Sequence, residues 1–222
     1  MLTYQGRQIP ETLAEIVDPR HTAVIVHDTQ NDNTGKGGNY EKAGHRIDIS
    51  HFLTPLIHFL DQARRHQVRV MYTQYTHLPN FATYTDVQIR SQYAILTDPD
   101  KRWTRDDMID GTWGWQTIDE LKPHPEDIII RKYRVDAFLS TPLEYLLRLN
   151  RIRTIIHTGI ATEVGILPTA WHALNLGFFV AVPEDCVGAM EPQYHQDAMN
   201  FLRRLAIVTN SSKIVDAWKT AS

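Results

Sequence analysis

The chain has very little cysteine: Cys186 is the sole one in 222 residues. One thiol closes no internal disulfide and builds no cysteine-only zinc cluster, which suits a reducing compartment. Long apolar runs are also missing, and the longest fall well short of the ~18 residues a membrane-spanning helix needs. The opening residues, Met1-Leu2-Thr3-Tyr4-Gln5, carry neither the basic region nor the apolar core of a secretion signal. A cytoplasmic location is therefore expected. Charge of one sign is not in excess either. Lys and Arg total 23 against 26 Asp and Glu, a net charge of -3, so nothing points to nucleic acid or a membrane surface as a partner. No repeat, low-complexity tract or Gly/Ser linker divides the chain. One domain spanning residues 1–222 is expected, large enough to bury roughly 70% of its unfolded surface without staples.

What is present is an alternation. Six short β-branched runs occur at 22–26, 68–73, 127–130, 154–157, 178–182 and 205–208. They are apolar on both faces, as strands covered on both sides are. Between them lie helical patterns. Residues 49–66 place Phe52, Leu53, Leu56, Phe59, Leu60 and Ala63 at i, i+3, i+4 spacing. Residues 142–149 and 163–176 read the same way, the latter with Gly177 as a helix stop. The expected fold is α/β: a three-layer, Rossmann-like αβα domain with a six-stranded, mainly parallel sheet. Residues 76–117, with Pro79, Pro99, Trp103, Trp113 and Trp115, break the alternation. They read as a long excursion with a short helix near 85–93, of the kind that shapes a substrate pocket.

Open parallel sheets bind ligands beyond the carboxyl ends of their strands. Asp28 closes the first strand, Gln74 and Tyr75 the second and Lys132 the third, while Gly159 to Gly165 leads from the fourth strand into a helix. Groups of opposite charge thus converge on one rim. Taken singly, each has an ordinary explanation: an Asp at a strand end is often a turn former, and a Lys after a strand a solvated rim residue.

Four segments together resemble the isochorismatase-like hydrolase family. Val24 to Asp32 resembles an apolar strand followed by Asp-x-Gln-Asn-Asp. Lys132 to Leu143 resembles Lys-x-Arg-x-Ser-Ala-Phe-x-x-Thr-x-Leu. Gly159 to Ala170 resembles Gly-Val-x-Thr-Asn-x-Cys-Val-x-x-Thr-Ala, and Gly177 to Asp185 the strand ending in Asp-Ala. The segments run in register from about residue 20 to 190. Most members of that family are cysteine hydrolases of amides, but the cysteine position here is Gly165, which has no side chain to attack with. Cys186 falls where the family has a small structural residue.

The resemblance implies catalytic roles for Asp28, Lys132 and Gly165. In the isochorismatase branch, which hydrolyses a vinyl ether, Asp28 would be the general acid, water would trap the oxocarbenium ion and Gly165 would leave room for substrate. That role asks for a raised Asp28 pKa, as burial would produce, with Lys132 acting against it. Gln74, Tyr75, Trp113, Ala161 and Thr162 complete the expected substrate-binding set. The resemblance further implies a cis peptide at Ile160-Ala161, no cofactor, a small-molecule substrate and a homo-oligomer. Some departures are visible. Gln74 stands one position off the branch's glutamine, which turns it to the other strand face. Arg90 lies farther on than the branch's arginine, and Tyr75-Thr76-His77 lacks the Asp of a nicotinamidase metal site, so no metal is expected. Amide or ureide hydrolysis by Asp-activated water, and a silent binding protein, remain as alternatives.

Overall fold

A computed structural model describes residues 1–95 and 107–220, with side chains for all but 91–95 of these; Pro99 and Trp103 lie outside them. The six expected strands are present: β3 (Thr22–His27), β4 (Arg69–Tyr75), β5 (Ile128–Lys132), β6 (Thr154–Gly159), β7 (Phe179–Pro183) and β8 (Ile207–Thr209). They form one sheet in the order β5-β4-β3-β6-β7-β8, and every pairing is parallel. Ahead of them, β1 (Leu2–Tyr4) and β2 (Arg7–Ile9) make a separate antiparallel hairpin.

Helices cover both faces of the sheet. The short α1 (Leu13–Ile16) and α2 (Asn39–Lys42) precede α3 (Ser50–Arg65), then α4 (Asp86–Ile95), α5 (Leu143–Leu149), α6 (Leu167–Asn175), α7 (Pro192–Leu205) and α8 (Ser211–Thr220). Strand alternation divides the core in two. Val24, Val26, Val70, Tyr72 and Ile156 face Phe52, Leu56 and Phe59 of α3 and Trp218 of α8. Ala23, Ile25, Met71 and Ile155 face Leu143 and Leu147 of α5, Ala170 and Ala173 of α6 and Met199 of α7. The period of two carries this second face onward to His27 and Thr73. Trp218 anchors α8: its ring stacks on Phe59 at 5.2 Å and its Nε1 donates to Val17 O at 2.8 Å.

Central β3 is buried along its whole length. The chain runs outward through β4 and β5, then returns to lay β6 against the other side of β3. The strand order therefore reverses between β3 and β6, and a crevice opens at their carboxyl ends, where ligands bind in sheets of this kind. Among the described residues no helix is long and apolar enough to cross a membrane.

Candidate active site

Asp28 leaves β3 in the left-handed region, with φ +48°, a conformation Asp tolerates better than most residues. Neighbouring polar groups hold the turn. Asp28 N donates to Thr73 O at 3.0 Å, and Asp28 O accepts from Gln30 N at 2.9 Å and Asn33 Nδ2 at 2.7 Å. The following residues are laced to the segment 113–117. Asn31 N reaches Gln116 O and Asp32 N reaches Gly114 O, while Gln30 Nε2 donates to both Tyr75 O and Trp115 O. Gly114 has to be bare, since a Cβ there would lie 2.2 Å from the Asp32 carboxylate.

The turn aims the Asp28 carboxylate at two side chains. Lys132, fully buried at the end of β5, places Nζ 2.6 Å from Oδ2 and donates also to Val135 O at 2.9 Å. Thr73 Oγ1 donates to Oδ1 at 3.1 Å. Burial drives the Asp28 pKa up, and the attraction of Lys132 and the bonds from Lys132 and Thr73 offset this without cancelling it. The pair thus holds a carboxyl group whose proton is easier to retain than that of an exposed aspartate.

Gly165 lies against this pair, in a π-helical turn spanning Thr162–Ile166 that leads into α6. A Cβ built there would stand 3.3 Å from Asp28 Oδ2, 3.5 Å from Ile160 O and 3.7 Å from Lys132 Nζ. Gly165→Ala is therefore accommodated by small shifts. It should change stability by no more than about 1 kcal/mol, yet lower turnover about tenfold or more, because the methyl occupies the approach to Oδ2. Thermal melts alongside kcat check both halves; unchanged turnover would place the chemistry elsewhere.

The other expected site residues divide. Tyr75 joins the site: its ring lies 5.2 Å from Lys132 Nζ, its hydroxyl accepts from Gln88 Nε2 at 2.8 Å, and burial pushes its pKa up to about 12. Ala161 joins through its backbone. The Ile160-Ala161 bond is cis, and Ala161 O accepts from Gly165 N and Ile166 N. Gln74 does not join. It lies on the opposite face of β4 from Thr73 and donates to Thr117 Oγ1 at 3.1 Å. Thr162 has its groups engaged elsewhere: N–H on Gly188 O at 2.8 Å, hydroxyl between Glu163 and His195. The Trp113 side chain is half exposed, while Trp115 is buried with Nε1 donating to Thr76 Oγ1. Cys186 is buried in the core on the α3 side, and burial pushes its thiol pKa up, away from the reactive thiolate.

Among the described residues, no group of three or more His, Cys, Asp or Glu side chains is placed to hold a metal ion. His77 instead stacks on Tyr84 at 3.8 Å.

Three polar residues beside the pair went unnoticed in the sequence. Besides bonding Asp28, Thr73 Oγ1 lies 3.2 Å from His27 Nδ1, and His27 Nε2 lies 2.8 Å from His157 Nδ1. Both rings are buried. Burial takes the pKa of His157 down to about 3, and burial with its neighbours His157 and Lys132 takes that of His27 well below its ordinary value. A depressed imidazole stays neutral in the fold while the unfolded chain takes up a proton below about 6.5. Its contribution is complete above that pH and is lost as pH falls toward 3. Each buried imidazole should therefore cost about 2 kcal/mol of stability between pH 7 and pH 5. Urea titrations at the two pH values should show this loss shrinking by that amount in His157→Leu; an unaltered pH dependence would contradict it.

Comparison with known proteins agrees with the fold. A sequence model described as Isochorismatase domain matches residues 22–213. The chain is 30% identical over 195 residues to the ureidoacrylate amidohydrolase RutB of Enterobacter sp. (strain 638), covering 82% of each chain. It is 31% identical to that of Caulobacter segnis, covering 83% of this chain and 80% of that one. Among solved structures, a cysteine hydrolase from Pseudomonas syringae pv. phaseolicola superposes with a TM-score of 0.78 at 21% identity, over 93% of this chain and 96% of that one. N-carbamoylsarcosine amidase from Thermoplasma acidophilum does so with a TM-score of 0.65 at 25% identity, over 86% and 96%. With the match covering most of its length and every strand of its main sheet, this chain belongs to the isochorismatase family and is an isochorismatase-like hydrolase.

Proposed function

We propose that this enzyme hydrolyses a small carboxylate-bearing substrate by acid–base chemistry at Asp28, with no side-chain nucleophile at position 165. A vinyl ether of the isochorismate type is its first candidate. The observation that carries this is the contact around Gly165. A side chain there would meet both Asp28 Oδ2 and Lys132 Nζ, so the acid–base pair is kept while the position facing it is bare. On this reading Gly165 stands at the family's cysteine position, and the room it leaves goes to substrate and water. Asp28, its pKa raised by burial, donates a proton to the terminal enol-ether carbon. Water adds to the resulting oxocarbenium ion, and the hemiketal collapses to pyruvate and an alcohol, returning a proton to Asp28. Lys132 holds the carboxyl group in place and keeps the site positive toward an anionic substrate.

A second reading is ureide or amide hydrolysis, in which ionised Asp28 takes the proton of an attacking water. It is favoured by the curated relatives named ureidoacrylate amidohydrolase at 30–31% identity. Two assays on one preparation separate the readings: pyruvate from isochorismate through a lactate dehydrogenase couple, and ammonia from ureidoacrylate. Pyruvate release supports the vinyl-ether reaction, and ammonia release alone replaces it with the ureide reaction. Silence on both would favour a binding protein and overturn the proposal.

A further inference from the structure

The two buried histidines beside the active site have no part in the chemistry above, yet they are connected to it. From Asp28 Oδ1 the contacts run to Thr73 Oγ1 at 3.1 Å, to His27 Nδ1 at 3.2 Å and from His27 Nε2 to His157 Nδ1 at 2.8 Å. At the far end, His157 Nε2 is buried and has no hydrogen-bond partner among the described residues.

The far end determines which way the chain donates. Both rings are neutral, so each carries one N–H. If His157 carried its proton on Nε2, a buried N–H would be orphaned. If the proton sits on Nδ1, the orphan is a lone pair, which proteins tolerate better than an unmade N–H bond. His157 Nδ1–H then donates to His27 Nε2, His27 Nδ1–H donates to Thr73 Oγ1, and the Thr73 hydroxyl donates to Asp28 Oδ1. Every donor in the series points at the carboxylate.

The consequence concerns which oxygen of Asp28 works. Lys132 Nζ lies 2.6 Å from Oδ2, and by itself this cation would drive a proton to the other oxygen, Oδ1. Oδ2, however, is the oxygen facing position 165, at 3.3 Å from a Cβ built there. We infer that His157, His27 and Thr73 form a one-way hydrogen-bond chain that keeps Oδ1 an acceptor and confines the exchangeable proton of Asp28 to Oδ2, where substrate is met. His27 and His157 are then positioning residues, acting on the reaction through Thr73. This rests on the reading of Asp28 as the acid–base group, whether the bond broken is a vinyl ether or a ureide. The other titratable groups facing Asp28 are Lys132 of β5, Tyr75 of β4 and Tyr40 of α2; His27 faces His157 of β6 and Lys132.

The first test needs no substrate. Long-range proton–nitrogen NMR of the full chain labelled with 15N-histidine, with His27→Gln and His157→Leu used only for assignment, reads each ring's tautomer. Both rings are expected as the neutral Nδ1–H form from pH 5.5 to 8. An Nε2–H form on either ring, or a charged ring, overturns the proposal. In the second test, carbon NMR follows the Asp28 carboxyl in Thr73→Val and Thr73→Ser. Valine is expected to raise proton affinity about tenfold by removing a bond to the charged form, and serine to leave it within about twofold. Equal values in all three proteins overturn the proposal. With a substrate in hand, Thr73→Val should move the limb of the kcat profile set by Asp28, the alkaline limb for a vinyl ether and the acid limb for a ureide, by the same factor with little change in KM. A pH limb that does not follow the Asp28 titration, with the tautomers as expected, removes Asp28 from the chemistry and leaves the chain's direction standing.

Discussion

Lys132→Met and Asp28→Asn are each expected to lower the unfolding free energy by about 3–5 kcal/mol, because each leaves a buried group facing a lost counter-charge. Lys132 is wholly buried, with Nζ held between Asp28 Oδ2 and Val135 O. Methionine fills the space but leaves the carboxylate in low dielectric with the Thr73 hydroxyl and the Tyr75 backbone and without its cation. Asparagine at 28 leaves the ammonium with Val135 O and no anion. The double variant removes both charges and should be more stable than the sum of the single losses allows, by roughly 1–3 kcal/mol. Urea unfolding of the four proteins at pH 7 completes the cycle. Additive losses would mean the 2.6 Å contact carries no coupling and is not the organising feature of the site.

Turnover should respond more sharply still. Asp28→Asn removes the group that gives or takes the proton, and kcat should fall on the order of 10³-fold. The loss should be read at a temperature where circular dichroism shows the variant folded, since the same substitution costs stability. A variant that is folded and inactive separates the two effects of the residue.

The parts of this site differed in how plainly the sequence carried them. The six strands of the main sheet were legible because β-branched runs apolar on both faces have few other uses. The hairpin β1–β2 was not, because its residues are almost all exposed and show no apolar pattern. Helix α7 went unnoticed because it buries just Ala198, Met199 and Leu202 among polar residues. α8 is anchored mainly by Trp218, whose partners, Phe59 and Val17, lie far away in sequence.

Asp28 and Lys132 could be found because both stand at strand ends that the topology brings to one rim. Gln74 was expected among the substrate-binding residues, but it faces away from the site to Thr117, a consequence of the strand period that its one-position offset already carried. Thr73 occupies the face the glutamine does not, so alternation carried that signal once β4 is set against β3, where His27 pairs with Thr73. His157 was harder. It pairs across from Ile25, not from His27, and reaches the neighbouring histidine diagonally, through ring orientation that no spacing encodes. Thr162 illustrates the reverse. Its place in the motif suggested substrate contact, but Gly188, Glu163 and His195, all outside β6, engage its groups.

The central claim is hydrolysis carried by Asp28 without a thiol, and the most direct measurement is turnover by the wild type, Asp28→Asn and Cys186→Ser side by side. Pyruvate release from isochorismate, or ammonia release from ureidoacrylate, supplies the rate. The predicted result is a fall on the order of 10³-fold in Asp28→Asn, with Cys186→Ser as active as the wild type. A folded Asp28→Asn enzyme with full activity, or a folded Cys186→Ser enzyme with none, would contradict it.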